Sequence, residues 1–179
     1  PQKSNPPNAV NDFEGDLDPA TRSALESRLR QYYDDNMIAF VIVTTDNFNG
    51  ESIETYASEL FREWKIGPAG LNWGVLLVYS RTQKNSRIEV GYGLEKILTD
   101  AICSDIIRNV MSPLNHSGQY STSIQVGTEA CLSVLKTMSP EDRKEYLKVL
   151  QAADDARWAK TKDIFAGAFI FICVLGLGW

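Results

Sequence analysis

The sequence is poor in the residues that bind transition metals or form nucleophile–base pairs. It contains one histidine and three cysteines, and it has no CxxC motif or Cys/His cluster. Because a structural zinc site needs four nitrogen or sulfur ligands, this composition effectively excludes one. A catalytic dyad or triad would have to use His116, whose Pro/Asn/Ser/Gly surroundings are typical of an exposed loop or helix end. We therefore expect no activated serine, cysteine or histidine.

The sequence also lacks a basic surplus and a phosphate-binding loop. Its net charge is −5 and its pI is about 4.9, which argues against a nucleic-acid partner because such a partner requires a basic face. No GxxxxGK(S/T) motif is present, and Gly91-Tyr92-Gly93 has no third glycine, so it is weak evidence for nucleotide binding. The acidic balance is compatible with a cation site or with an ordinary soluble surface.

Apolar runs and helical periodicities predict one domain of the α/β class. Two apolar, β-branched runs predict strands buried on both faces, and the helix between them makes a parallel pair by a right-handed crossover. A third strand returns from the second as a hairpin. The predicted fold is a three-layer α/β/α sandwich on a small mixed β-sheet. The predicted strands are 37–45, 75–79 and 87–91, and the helices are 18–36, 53–64, 100–111 (ended by Pro113) and 120–138.

The two ends of the chain differ in composition from this domain, which we place at 9–138. Residues 1–8 are polar and proline-rich, and we expect them to be disordered after removal of a signal peptide. Residues 139–162 are charge-rich and predict a solvated helix or stalk. The last segment, 163–179, has no charge from Ile164 onward, so these sixteen residues fall short of the roughly 20 that span a bilayer.

We interpret 163–179 as a truncated transmembrane helix, with a buried terminal helix or an interfacial segment as alternatives. The membrane is thus the expected partner of this segment. Arg157, Lys160 and Lys162 precede the segment and by themselves favour a cytoplasmic domain. A cleaved signal peptide would override that tendency, and we expect the domain to lie outside the cytoplasm.

The predicted hairpin brings the start of the second strand and the end of the third to the same end of the sheet. Asn72, Glu95 and Asp100 gather there, among three glycines and two aromatic residues. Ca²⁺ takes six to eight oxygen ligands, and these side chains with turn carbonyls can supply several. An equally weighted alternative is that Glu95 and Asp100 only complement helix N-termini.

The opposite end of the sheet offers a second acidic group. Asp46 follows the first predicted strand, and Asp12 can lie near it because the first helix runs back along that strand. Ligands of open α/β sheets gather at strand carboxyl ends. Within the third strand, Glu89 requires a partner such as Arg87 or a helix donor if it is buried.

Several segments resemble the TPM domain family, and the similarity covers about residues 9–138. The opening Val10-Asn11-Asp12-Phe13-Glu14-Gly15 is similar to the opening of these domains, and Arg87 to Glu95 followed by Leu98-Thr99-Asp100-Ala101 is the strongest match. Further matches are Ile53-Glu54-Thr55-Tyr56-Ala57 with Leu60-Phe61, Trp64-Lys65-Ile66-Gly67, and Asn72-Trp73-Gly74-Val75-Leu76-Leu77.

The resemblance implies an α/β/α fold, binding of Ca²⁺ or another divalent cation and, for plant members, acid phosphatase activity. The family includes thylakoid-lumen proteins linked to photosystem II repair and bacterial secreted proteins anchored by a following transmembrane helix. Three departures bear on the cation. Trp73 replaces a common asparagine, and Lys65 and Lys96 stand where glycine is usual.

Two functions follow as expectations. The first is a periplasmic or cell-surface, membrane-anchored Ca²⁺-binding domain that serves the assembly, repair or maintenance of membrane proteins, with membrane-protein complexes as partners. The alternative is a metal-dependent phosphatase acting on phosphomonoesters, although no catalytic residue is identified. In either case the expected metal ligands are Asp12, Asn72, Glu95 and Asp100. A purely structural interpretation keeps the acidic residues as helix caps.

Overall fold

The computed structural model describes residues 8–136 and Lys148. The chain divides into two compact units, residues 1–138 and 139–179, and the sheet with its helices belongs to the first. The predicted disordered start, charged stalk and transmembrane segment lie outside the described residues, apart from Asn8 and Lys148. Among the residues described, no helix is both long and apolar enough to cross a membrane.

The sheet has four strands in the order β1-β2-β3-β4, and it is mixed as predicted. β1, β2 and β3 are parallel, and β4 pairs antiparallel with β3 as the second arm of the hairpin. The apolar runs of β2 and β3 are buried on both faces, as their β-branched composition predicts. The strands are β1 (Val10–Asp12), β2 (Ala39–Thr44), β3 (Gly74–Ser80) and β4 (Asn85–Val90).

The sequence-based prediction missed β1. Its three residues are too few to show the period of a strand, and two of them are polar. β1 exists because its backbone pairs with β2, from Val10 opposite Ile42 to Asp12 opposite Thr44. The addition of β1 places Asp12 directly beside the carboxyl end of β2.

Local signals fix the ends of the first helices, α1 (Pro19–Asn36) and α2 (Ile53–Trp64). Asp18 caps α1 by accepting a hydrogen bond of 2.9 Å from the Thr21 amide, and Pro19 occupies the first helical position. Ser52 caps α2 in the same way. Both helices agree with the prediction.

The prediction that Pro113 ends a helix is wrong. The helical path runs through α3 (Asp100–Asp105), a π-helical segment (Ile106–Met111) and α4 (Ser112–His116), and α5 (Tyr120–Leu135) follows. Pro113 lies in the first turn of α4, where its missing amide hydrogen and its fixed φ are tolerated. The path ends near Gly118, which has a positive φ of 77°.

The helices cover both faces of the sheet, which confirms the three-layer α/β/α sandwich. α2 packs on the face formed by Val41, Val43, Leu76 and Val78. α1 lies against β2 and also contacts α5, and the α5 residue Tyr120 meets Tyr79 of β3 at a ring-centroid distance of 6.3 Å. The loops after β1 and β2 and the turn after β3 begin at the carboxyl ends of the parallel strands.

Candidate functional site

The sheet separates the four expected metal ligands into two groups. Asp12 ends β1 opposite Thr44, and Thr44 is itself opposite Tyr79, so Asp12 lies at the carboxyl end of the parallel strands. Asn72 precedes β3, and Glu95 and Asp100 follow β4, so these three belong to the other end. The seven residues of β3 separate the ends by roughly 20 Å. The structure therefore does not bring Asp12 together with the other three.

At the amino end of β3, the two turns meet as the hairpin predicts. The Gly91 amide donates to the Gly74 carbonyl at 2.9 Å. A Cβ on Gly91 would stand 2.1 Å from the Asn72 carbonyl oxygen, and one on Gly93 would stand 2.3 Å from a Trp73 ring carbon. Glycine is required at both positions because any side chain would clash with the neighbouring backbone or with the Trp73 indole.

The polar side chains at this end face solvent. Asn72, Glu95 and Asp100 are exposed. Asp100 lies in the first turn of α3, whose N-cap Thr99 accepts from the Ile102 amide at 3.3 Å. That position is the one expected if Asp100 complements a helix N-terminus. Cation binding by these residues stays a prediction.

The residues that depart from the family pattern have local explanations. Lys65 follows α2 with a positive φ of 49°, a conformation that glycine adopts without strain, which accounts for glycine being usual there. Trp73 is buried against Gly93, and Lys96 is exposed.

Two further predictions outside the site are confirmed. Glu89 is half-buried and pairs with Arg87 at 2.9 Å within β4. His116 is exposed at the end of α4.

The carboxyl end of the parallel strands collects an acidic cluster, which consists of Asp12, Glu14, Asp16 and Asp46. Asp12 fixes the loop after β1, since its Oδ1 accepts from the Asp16 amide at 2.9 Å and from Thr44 Oγ1 at 2.6 Å. Its Oδ2 accepts from the Leu17 amide at 3.3 Å. Asp12 thereby holds the backbone of the loop that carries Asp16.

Asp46 joins the loop after β2 to the turn after β3. Its Oδ1 accepts from Ser80 Oγ at 2.8 Å and from the Thr82 amide at 3.1 Å, while its own amide donates to Glu14 Oε1 at 3.2 Å. Burial by itself would raise the pKa of Asp46, but these hydrogen bonds and the Arg81 guanidinium lower it overall. Asp46 is therefore ionised at neutral pH.

Asp16 is the unusual member of the acidic cluster. Its side chain has 0% exposure, and neither carboxylate oxygen accepts a hydrogen bond within the described part of the chain. Arg81 Nη1 approaches Asp16 Oδ1 at 3.2 Å, and the guanidinium stands 6.0 Å from the centre of the Tyr120 ring. A buried carboxylate whose oxygens lack donors is costly, so its presence calls for an explanation.

The surroundings raise the pKa of Asp16. Burial has the largest effect, Arg81 opposes it, and the negative charges of Asp12, Asp46 and Glu14 add to it. The pocket beside Asp16 has a volume of about 480 Å³ and is bordered by Gly15, Leu17, Gly118 and Ser121. It lies between the start of α1 and the start of α5.

The chemistry of the acidic cluster is that of hard oxygen donors. Carboxylate and hydroxyl oxygens suit Ca²⁺ or Mg²⁺, and the buried cysteines and the exposed His116 are not part of the cluster. In the arrangement observed for residues 8–136, however, no three side chains of histidine, cysteine, aspartate and glutamate are placed to hold one metal ion. A cation would thus also require carbonyl, hydroxyl or water oxygens, or a closer approach of the carboxylates.

Sequence analysis identified part of this cluster and missed the rest. It placed Asp46 and Asp12 at the carboxyl end, but it did not single out Glu14, Asp16 or Arg81. Glu14 and Asp16 lie in a loop, and Arg81 lies in a turn, where no periodicity indicates direction. The available signal was the position of Arg81 directly after a buried strand.

Comparison with known proteins agrees with the fold. The TPM domain model matches residues 10–134. The solved N-terminal domain of a protein from P. gingivalis is 34% identical, with a TM-score of 0.67, over 72% of this chain and 82% of that one. No curated protein matches the sequence.

Two more distant structures share the fold. An N-terminal domain from Corynebacterium glutamicum is 14% identical with a TM-score of 0.56, over 74% of this chain and 84% of that one. The BA42 protein of Bizionia argentinensis is 18% identical with a TM-score of 0.54, over 73% and 90%. The match to most of the described domain and the identity to the P. gingivalis domain settle the classification: the chain belongs to the TPM domain family.

Proposed function

We propose that this TPM domain binds a divalent cation, Ca²⁺ foremost, in the acidic cluster at the carboxyl end of the parallel strands. The observation that carries the proposal is Asp16, a fully buried carboxylate whose two oxygens accept no hydrogen bond from the described residues. Residues held in an unfavourable setting concentrate at functional sites. Asp12, Asp16 and Asp46 are the side chains that would hold the ion, with Ca²⁺ supplying a doubly positive charge to offset their repulsion.

The experiment is a calorimetric Ca²⁺ titration of the full chain and of variants at each end of the sheet. Asp16→Asn and Asp46→Asn are expected to weaken binding at least tenfold, because even residues that only orient metal ligands contribute roughly 10–100-fold. Glu63→Gln is the matched control, since Glu63 is an exposed carboxylate near the end of α2. Its affinity is expected to equal that of the wild type.

Glu95→Gln and Asp100→Asn test the other end of the sheet. We expect both to bind Ca²⁺ like the wild type. If they abolish binding while Asp16→Asn does not, the cation belongs at the amino end of β3 and the proposed site is wrong. Absence of any heat or affinity with the wild type would refute cation binding altogether.

Within the cell, we propose that the domain acts as an extracytoplasmic, membrane-anchored module for the assembly, repair or maintenance of membrane proteins. The support is the family resemblance together with the uncharged segment Ile164–Trp179. The full chain, expressed behind a cleavable export leader, is expected to stay in the membrane pellet after an alkaline wash. The domain should be degraded by protease added outside the cytoplasmic membrane. Release by the wash, or protection from the protease, would contradict this placement.

One observation favours a metal-dependent phosphatase as the second candidate. Arg81 lies beside Asp16 at the acidic cluster and is 43% exposed, so a guanidinium is available to bind a phosphoryl group near the metal ligands. Steady-state hydrolysis of p-nitrophenyl phosphate between pH 4 and pH 8, with Ca²⁺ or Mg²⁺, distinguishes the two functions. Activity that disappears in Asp16→Asn supports the phosphatase, and no activity at any pH refutes it.

A further inference from the structure

The acidic cluster already contains a positive charge of its own. Arg81 is the first residue after β3, and its Nη1 lies 3.2 Å from Asp16 Oδ1. Among the charged groups that act on Asp16, Arg81 is the basic one, and the carboxylates of Asp12, Asp46 and Glu14 are all of like charge. The guanidinium therefore supplies the compensation that a bound cation would otherwise give.

The position of Arg81 allows it to leave. Its side chain is 43% exposed, so water can solvate the guanidinium once it separates from Asp16. The guanidinium also faces the Tyr120 ring at 6.0 Å, a distance at the outer limit of a cation–π interaction. By contrast, Asp16 has 0% exposure and cannot exchange Arg81 for water without a larger movement.

A divalent cation and the Arg81 guanidinium would compete for the same carboxylate, that of Asp16. An ion bound by Asp16 and Asp46 would stand next to Arg81, and two positive charges at short range repel. Because no three side chains of histidine, cysteine, aspartate and glutamate in residues 8–136 are placed to hold one ion, an ion bound by Asp16 and Asp46 would also need other oxygen ligands.

We propose that Arg81 is an internal competitor of the cation: its guanidinium neutralises Asp16 in the free protein, and a divalent ion binds by displacing it. This inference rests on the proposed cation site. Arg81 consequently sets the affinity and favours doubly over singly charged cations, because the incoming ion must replace a positive charge already present. The turn that begins at Arg81 also changes its contacts on binding, since Thr82 is held by Asp46.

The test compares Ca²⁺ binding by the full chain with that of Arg81→Gln, Arg81→Lys and Arg62→Gln. Removal of the Arg81 charge is expected to raise Ca²⁺ affinity about tenfold, since a neighbouring charge changes the proton affinity of a carboxylate by one or more powers of ten. Arg81→Lys keeps the charge and is expected to stay within about threefold of the wild type. Arg62→Gln removes an exposed charge on α2 and controls for net charge.

A second measurement compares the thermal stability of the variants in the absence of Ca²⁺. Without Ca²⁺, Arg81→Gln leaves Asp16 buried and uncompensated, so its Tm is expected to fall below that of Arg62→Gln. Saturating Ca²⁺ should raise the Tm of Arg81→Gln by more than it raises the Tm of the wild type. If the wild type binds Ca²⁺ and Arg81→Gln binds it no more tightly, the competition by Arg81 is refuted but the proposed cation site is not. If neither the wild type nor Arg81→Gln binds Ca²⁺, the proposed cation site itself is refuted.

Discussion

Replacement of Asp16 by asparagine tests whether the acidic cluster destabilises the fold that carries it. The Asp16 side chain has 0% exposure, its two oxygens accept no hydrogen bond from the described residues, and its ion pair is with a partner that is 43% exposed. An ion pair of this kind compensates only part of the cost of taking a carboxylate out of water. Asparagine has the same shape without the charge, and its amide can donate to a neighbouring carboxylate.

We expect the full chain carrying Asp16→Asn to be more stable than the wild type at pH 7, by about 1 kcal/mol, the lower end of the range for replacing a buried charge by a neutral group of similar volume. Arg81 is 43% exposed, so water can solvate its guanidinium after the substitution. The sign follows from linkage. Burial raises the pKa of Asp16 above its ordinary 3.8, so the folded protein binds this proton more tightly than the unfolded chain does. The contribution of Asp16 to stability therefore falls as the pH rises from 3.8 through the folded pKa.

The assay is equilibrium denaturation by urea in the presence of a chelator, at pH 4 and at pH 7. Asp16→Asn should gain stability over the wild type mainly at pH 7. Asp34→Asn, which changes an exposed aspartate of α1, should stay within about 0.5 kcal/mol at both values. If Asp16→Asn is instead less stable than the wild type by 1 kcal/mol or more at pH 7, the Asp16–Arg81 pair stabilises the fold and the reasoning fails.

Two other predictions concern the frame around the site. Gly91→Ala should destabilise the chain by about 2 kcal/mol or more in the same denaturation assay, because its Cβ would stand 2.1 Å from the backbone carbonyl oxygen of Asn72. Gly118→Ala meets no atom within 4 Å and should cost only about 1 kcal/mol for its positive φ, so equal losses would contradict this explanation. Hydrogen bonds from Ser121 and Thr21 lower the pKa of Asp18 to about 2, so its stabilising charge is lost as the pH falls from 3.8 toward 2. Asp18→Asn keeps an N-cap and should lose less stability than the wild type over that interval; an identical loss would show that Asp18 does not contribute.

The sequence predicted the parts of the fold whose signals are local. The run Met37 to Thr45 is almost wholly apolar and β-branched, which suffices for a buried strand, and the helical spacing of apolar residues predicts α2 over 53–64. β1 was missed because it is defined by its pairing with β2, whose residues lie about 30 positions further along the chain. Pro113 was misinterpreted because the preceding π-helical segment, which changes the register of the path, has no sequence signature.

The candidate site was less predictable for a physical reason. Topology alone brings Asp46 and Asp12 to one end of the sheet. The sequence predicted this second acidic group, but the expected ligand set still combined Asp12 with Asn72, Glu95 and Asp100 at the other end. The direction of Asp16 depends on two hydrogen bonds that Asp12 accepts from the loop backbone. The approach of Arg81 depends on the turn between β3 and β4. Neither loop conformation follows from composition or spacing, so the pairing of Asp16 with Arg81 could not be inferred.

The two ends of the sheet differ in how their unusual residues contribute to the structure of the fold. At the amino end of β3, Gly91 and Gly93 permit contacts between backbone and indole that could not form otherwise, so the glycines have a structural purpose. At the carboxyl end, Asp12 and Asp46 also have one, since both tie loops together. Asp16 differs from them: its carboxylate accepts no hydrogen bond from the described residues, and its contact with another loop is the ion pair with Arg81. This difference between the two ends supports the proposal that a cation binds at the strand carboxyl ends rather than at the glycine turns.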